Sequence, residues 1–278
     1  MNDHPIVACY RDLDSADAVT LGAMLASAID LPLVLAHAYR YEPIAHSARA
    51  LPAPANDRRA AAAQQALRRA RTFARADVEI SERAVPSARI ADALVDLARE
   101  VDASVLVVGR DTAGHVTRGL LPRAPCPVAV APLGEPLPAA SGFERIGVAY
   151  DGSPPARWAL SAASAIARLT GGRLVLLAAG ATAEDAATYL QMARLKVDDA
   201  VRHEVRGLVG DAARVLTAAT DDLDLLVCGS RGRGRPRAMV FGSVSTQLVA
   251  NARCAVLVIP PGVAHNPSGP LGLTTAAA

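Results

Sequence analysis

The chain repeats itself. Ile146–Tyr150 matches Ile6–Tyr10, Leu174–Ala179 matches Leu33–Ala38, and Val227-Cys228-Gly229 matches Val107-Val108-Gly109. Arg253-Cys254-Ala255-Val256 matches Pro125-Cys126-Pro127-Val128. Four apolar stretches recurring in one order across 278 residues indicate two copies of one domain, each of ordinary size. Within each copy, short apolar runs bounded by glycine or proline read as buried strands, and segments of helical periodicity lie between them. Such alternation requires parallel pairing with right-handed crossovers. The expected fold is therefore α/β: two repeated open-sheet domains, each a five-stranded parallel sheet with helices on both faces. The expected boundaries are 1–132 and 144–262. A linker of Gly, Pro and Ser joins them at 133–143, and a loose Gly/Pro/Ser/Thr/Ala tail follows at 263–278.

In the first copy, strands are expected at Ile6–Tyr10, Leu33–Ala38, Val78–Ile80, Val105–Val108 and Pro127–Val130. Helices are expected from Ala16 to Ile29 behind Asp14 or Ser15, from Asn56 or Asp57 to about Arg75, and from Ile90 to Val101. In the second copy, Ser153 as N-cap and Pro154 at the first helical position start a helix that Gly171 ends, with Trp158, Ala162, Ile166 and Leu169 facing inward. Helices near Ala183–Asp199 and Ala212–Ala219 and a strand near His203–Arg206 follow.

The stretch from Asp224 to Ile259 carries the functional signal. A buried strand, Leu225–Cys228, runs into Gly229, Gly232 and Gly234, and Gly242-Ser243-Val244-Ser245 then opens a helix. A strand, a glycine loop and a helix N-terminus together offer free backbone N–H groups and a positive dipole end, which suits phosphate. Gly229, two residues, Gly232, nine residues, then Gly242-Ser243 resembles the nucleotide motif of the universal stress protein family. Asp151 at an earlier strand end and the order of the strands extend the resemblance over both halves.

The resemblance implies an adenine-nucleotide alpha-hydrolase-like architecture and an ATP site in the second half, with Mg2+ as a companion ion and AMP or a cyclic nucleotide as alternatives. Asp151 and the backbone around Ala149 and Ala179 would contact adenosine. Gly229 and Gly232 would let the backbone approach ribose and phosphates. Ser243, Val244 and Ser245 would hold phosphate through N–H groups and hydroxyls. Arg231, Arg233 and Arg235 either add charge at the phosphate end or stand solvated. The two fifth strands would pair the halves as an intramolecular pseudo-dimer, with a homodimer of chains as a further option.

The first copy departs from this pattern. Gly109 to Cys126 is eight positions shorter than Gly229 to Cys254, and the shortfall removes the Gly-Ser pair. His115 stands roughly where Ser243 does, and Tyr10-Arg11-Asp12 replaces Tyr150-Asp151-Gly152. The first half is expected to be a non-binding partner domain.

Composition excludes several other functions. A net charge of +2 gives no pull toward nucleic acid or membrane, and 3% aromatics supply few stacking platforms for single strands. The four cysteines, Cys9, Cys126, Cys228 and Cys254, form no CxxC pair and read as buried thiols of a cytoplasmic protein. His37 has no partner at metal spacing, and His203, with no evident catalytic partner, reads as an ordinary strand residue. No GxxxxGK[ST], SGGxDS-like or HIGH-like motif occurs, so P-loop NTPase and adenylating chemistry are disfavoured. The expected role is an ATP-binding sensor or regulator in stress response, with at most slow hydrolysis. The competing expectation is a non-catalytic protein-interaction module in which nucleotide binding is weak or lost; protein partners are not identified by the sequence.

Overall fold

The computed structural model describes residues 4–41, 53–110, 115–132, 137, 142–230, 242–260, 263–265, 271 and 273–275. The first half runs β1 (Ile6–Cys9), α1 (Ala16–Ile29), β2 (Leu33–Arg40), α2 (Ala53–Ala70), β3 (Ile80–Ser87), α3 (Ile90–Glu100), β4 (Val105–Gly109), α4 (His115–Leu120) and β5 (Val128–Ala131). The second half runs β6 (Arg145–Ala149), α5 (Pro154–Thr170), β7 (Arg173–Gly180), α6 (Ala183–Arg194), β8 (His203–Val209), α7 (Ala212–Ala218), β9 (Leu225–Gly229), α8 (Ser243–Asn251) and β10 (Ala255–Ile259).

Each half holds the expected five parallel strands, and the two sheets merge into one of ten, ordered β3-β2-β1-β4-β5-β10-β9-β6-β7-β8. The seam is the pairing of the fifth strands. β10 runs antiparallel to β5, with Val256 opposite Val130, Leu257 opposite Ala129 and Val258 opposite Val128. Both strands are buried along their whole length. Left unpaired, each would be an apolar edge open to other chains, so the halves cover one another as a pseudo-dimer.

Because the central strands bury both faces, they are nearly continuous Val, Leu, Ile and Ala. Leu21, Leu25, Leu160 and Ile166 from α1 and α5 cover one face, joined by α2 and α6. Leu94, Leu120, Leu216 and Leu248 from α3, α4, α7 and α8 cover the other. Each such side chain contributes about 1.5–3 kcal/mol by leaving water. Local signals set the helix ends where the sequence placed them in α5. Ser153 Oγ accepts the Ala156 N–H at 3.3 Å, and Gly171 closes the helix at φ +70°. Ala162 and Ile166 are buried, but Leu169 is 54% exposed, so the inward stripe ends one turn early.

Other expectations shift. β3 starts where the expected third strand, Val78–Ile80, ends. It is an edge strand paired to β2 from Ile80↔Leu33 to Ser87↔Arg40, mostly exposed, so no apolar run marks it. α2 begins at Ala53 and ends at Ala70, before a 3-10 turn at Arg71–Phe73. α6 ends at Arg194, short of Asp199, and β8 extends to Val209. Ser15 precedes α1, yet its hydroxyl serves the preceding turn, donating to Asp12 O and accepting the Arg11 and Asp12 N–H groups. Of the linker, Phe143 is buried. The tail holds a small antiparallel ladder, β11 (Val263–His265) with β12 (Leu273–Thr275), and Leu271 is 2% exposed within the core. Leu271 is an apolar anchor that the tail's overall composition conceals.

Candidate functional site

In the second half the strand order reverses between β6 and β9. From β6 the chain turns to α5 on one face, and from β9 it goes on to α8 on the other. Crevices outside the carboxyl ends of strands form at such points. A cavity of about 280 Å³ opens there. Eight of the residues expected to bind, Ala149, Asp151, Ala179, Gly229, Gly242, Ser243, Val244 and Ser245, all line it. Arg231 and Gly232, with Arg233 and Arg235, lie outside the described residues.

One end of the cavity is apolar: Ala149, Leu177 and Ala179 from the sheet face Ala212 and Leu216 of α7. The other end is the start of α8. Gly242 is its N-cap in an extended conformation and offers no side-chain cap. The Gly242 N–H donates to Ser230 O at 2.8 Å. The N–H groups of Ser243, Val244 and Ser245 meet no acceptor among the described residues. A nine-residue helix thus presents its positive end to the cavity, with three donors unpaired among the described residues.

The cradle is held rigidly. Ser230 N–H donates to Ile259 O at 2.9 Å, carrying the β9–β10 ladder one residue further. Ser245 Oγ lies 3.1 Å from both Ser230 O and Gly242 O. The Ser245 hydroxyl proton is therefore directed to the loop, and its backbone N–H stands at the start of α8. Asp151 is fixed at the rim, its Oδ1 accepting the Ser153 N–H at 2.9 Å. Gly229 is required by contact: a Cβ there would stand 2.6 Å from Pro155 Cβ and 2.8 Å from Pro155 C.

Sequence reasoning missed Tyr150, Ala156, Leu177, Tyr189, Ala212, Leu216, Cys228 and Ser230 in this lining. Ala212 and Leu216 lie in the helix expected at Ala212–Ala219, which carries no local sign of a cavity wall. Ser230 was hidden as an unspecified position between Gly229 and Gly232. Nothing in the local sequence marks Tyr189. Burial pushes the Cys228 thiol up to about 12, and those of Cys126 and Cys254 likewise. All four cysteines are free thiols.

The corresponding cavity in the first half is about 120 Å³. Tyr10, Arg11, Ser15, Gly109 and Arg110 contribute to its walls. Asp12, nearest in sequence to the Asp151 position, is absent from that lining and pairs with Arg11 Nε at 2.7 Å. Arg110 extends to the other half, where its Nη1 donates to Ala250 O at 3.1 Å and Ala252 O at 2.9 Å. His37 Nδ1 lies 2.8 Å from Tyr10 O, and burial lowers its pKa. His203 Nδ1 lies 2.9 Å from Val201 O. Among the described residues no group of three or more His, Cys, Asp or Glu is placed to hold a metal, and no helix is long and apolar enough to cross a membrane.

The model of the universal stress protein family matches residues 3–132 and 178–260. The stretch it leaves out holds β6 and α5, which the sheet supplies in the same order as β1 and α1. A relative from Thermus aquaticus, described as a universal stress protein in the QAH/OAS sulfhydrylase 3′ region, is 33% identical over 42% of this chain and 98% of its own length. Among solved structures, a universal stress protein from Archaeoglobus fulgidus DSM 4304 is 16% identical, with TM-score 0.72 over 93% of this chain and 97% of that one. A putative universal stress protein from Pseudomonas aeruginosa UCBPP-PA14 is 17% identical, with TM-score 0.62 over 92% of each chain. At those identities the two structures establish the shared fold. The chain belongs to the universal stress protein family, as a tandem member whose two copies share one sheet.

Proposed function

We propose that the second half binds an adenine nucleotide, ATP in the first instance, and that the chain works as a nucleotide-dependent sensor or regulator rather than a catalyst. The observation that carries this reading is the polarity of the cavity along its length. An apolar slot between the sheet and α7 suits a planar base, and the N–H groups of Ser243, Val244 and Ser245, unpaired among the described residues, suit phosphate oxygens. A negative group at such a helix start gains about 0.3–2 kcal/mol from the dipole, depending on burial. The cavity volume is near the low end of ligand sites, which run about 300–1,000 Å³, and fits a nucleoside better than a whole triphosphate. The outer phosphates would then extend beyond α8, and Mg2+, where it accompanies ATP, would ride on them. Asp151, anchored to the turn, would accept a hydrogen bond from the sugar.

Mass spectrometry of small molecules released from the purified protein, with calorimetric titration of ATP, AMP and cyclic AMP, tests the reading. The expected result is adenine nucleotide bound at micromolar-to-millimolar concentration, and its loss in folded Gly242→Val. Absence of any nucleotide binding by the folded parent chain would end it.

A further inference from the structure

We propose that the Ser230 hydroxyl contacts the ligand, hydrogen-bonding the sugar–phosphate portion of the nucleotide; this rests on the nucleotide reading above. Ser230 is 0% exposed, and its Oγ is buried with no hydrogen-bond partner among the described residues. It lines the cavity. Two residues earlier, Cys228 faces the same side of the sheet as Leu177 and Leu216, and the strand period of two places Ser230 on that side as well.

The residue's fixed position does not depend on its hydroxyl. Its N–H is bonded to Ile259 O, and its carbonyl accepts from the Gly242 N–H and Ser245 Oγ. The backbone alone ties β9, β10 and the start of α8 together, and the side chain is left over. Buried hydroxyls in folded proteins nearly always have partners, and one without costs stability. A hydroxyl can donate and accept, so it can serve either a sugar hydroxyl or a phosphate oxygen. Its place is between the apolar slot and the free N–H groups of α8, where the atoms joining base to phosphates must pass. At the matching position of the first half stands Arg110, directed to the second half's carbonyls instead.

Ser230→Ala tests this through two readouts of opposite sign. Removing an unpaired buried hydroxyl leaves the unliganded chain at least as stable as the parent in urea unfolding. Removing a ligand hydrogen bond weakens ATP binding about threefold to tenfold by calorimetry. ATP, AMP and adenosine are titrated side by side. An equal loss for all three supports the contact and assigns it to the ribose; a loss for ATP and AMP alone supports it and assigns it to a phosphate. Unchanged affinities in the variant overturn the proposal, as does a weaker affinity accompanied by a less stable unliganded chain, which marks the hydroxyl as structural. Failure of the parent to bind any of the three overturns the nucleotide reading itself and is seen before the variant is measured.

Discussion

After β4 the chain reads Gly109-Arg110, and after β9 it reads Gly229-Ser230. The two turns leave equivalent strands of one sheet, yet they do different work. Beyond Gly229 the chain reaches the nine-residue α8, whose first N–H groups face a cavity of about 280 Å³. Beyond Gly109 it reaches the six-residue α4, and the cavity is about 120 Å³. Asp151 is held at the rim of the larger one, whereas Asp12 pairs with Arg11 and does not line the smaller one. The first half keeps the strands that complete the sheet, and it lends Arg110 to the far end of α8. On the proposed reading, one copy cradles a ligand and the other braces it.

The sharpest way to break this contrast is to add the same methyl group to both glycines. At Gly229 a Cβ meets Pro155 Cβ at 2.6 Å and the Ala156 nitrogen at 3.0 Å, both on the first turn of α5, which cannot retreat without loosening the Ser153 cap. Gly229→Ala should cost about 1–3 kcal/mol of stability and lose nucleotide binding with it. At Gly109 the nearest atoms are Ser15 Cα and Cβ at 3.4 Å, an ordinary contact. Gly109→Ala should therefore change stability by no more than about 0.5 kcal/mol. Chemical unfolding with ATP titration reads both. Equal costs at the two sites would show that the halves are built alike.

Much of this was legible because short-range chemistry decides it. Ser153, Pro154 and Gly171 fix the ends of α5 within a few residues of themselves, and the spacing of Gly229 and Gly242 marks a turn between a strand and a helix. What escaped depends on tertiary contact. β3 is an edge strand whose partner β2 supplies its order, so Glu82 and Arg83 carry no strand signal. Leu169 has the spacing of an inward residue but lies past the end of the packed stripe. Ser230 and Tyr189 join the cavity only because α6, α7 and α8 converge on it, and Arg110 reaches across 142 positions of sequence to Ala252.

That reach gives the next test. The last carbonyls of a helix lack intrahelical donors, and a cation there also complements the dipole. Arg110 supplies both to α8. Its partial exposure limits the worth of the contact, so Arg110→Ala should destabilise the protein by about 1 kcal/mol. Hydrogen exchange should quicken in α8, in the half opposite the substitution, with ATP affinity falling modestly. Arg110→Lys retains the charge without the two-pronged geometry and should recover part of the loss. Exchange in α8 at the parent rate would mean that the first half does not brace the site.

The smallest expected effect concerns two thiols that sample the two cavities. Cys228 lines the larger and Cys9 the smaller. Burial pushes the Cys228 thiol up to about 12 and raises that of Cys9 well above its ordinary range, with nearby Cys126 adding to the latter. Alkylation needs the thiolate, so at pH 8 both should react more slowly than a free cysteine of ordinary pKa. ATP should slow Cys228 further and leave Cys9 unchanged, with buried Cys126 and Cys254 as internal references. Peptide-resolved mass spectrometry after timed iodoacetamide treatment separates the four. Equal protection of Cys9 and Cys228 would mean that ligand enters both copies, and that losing the Gly-Ser pair had not emptied the first.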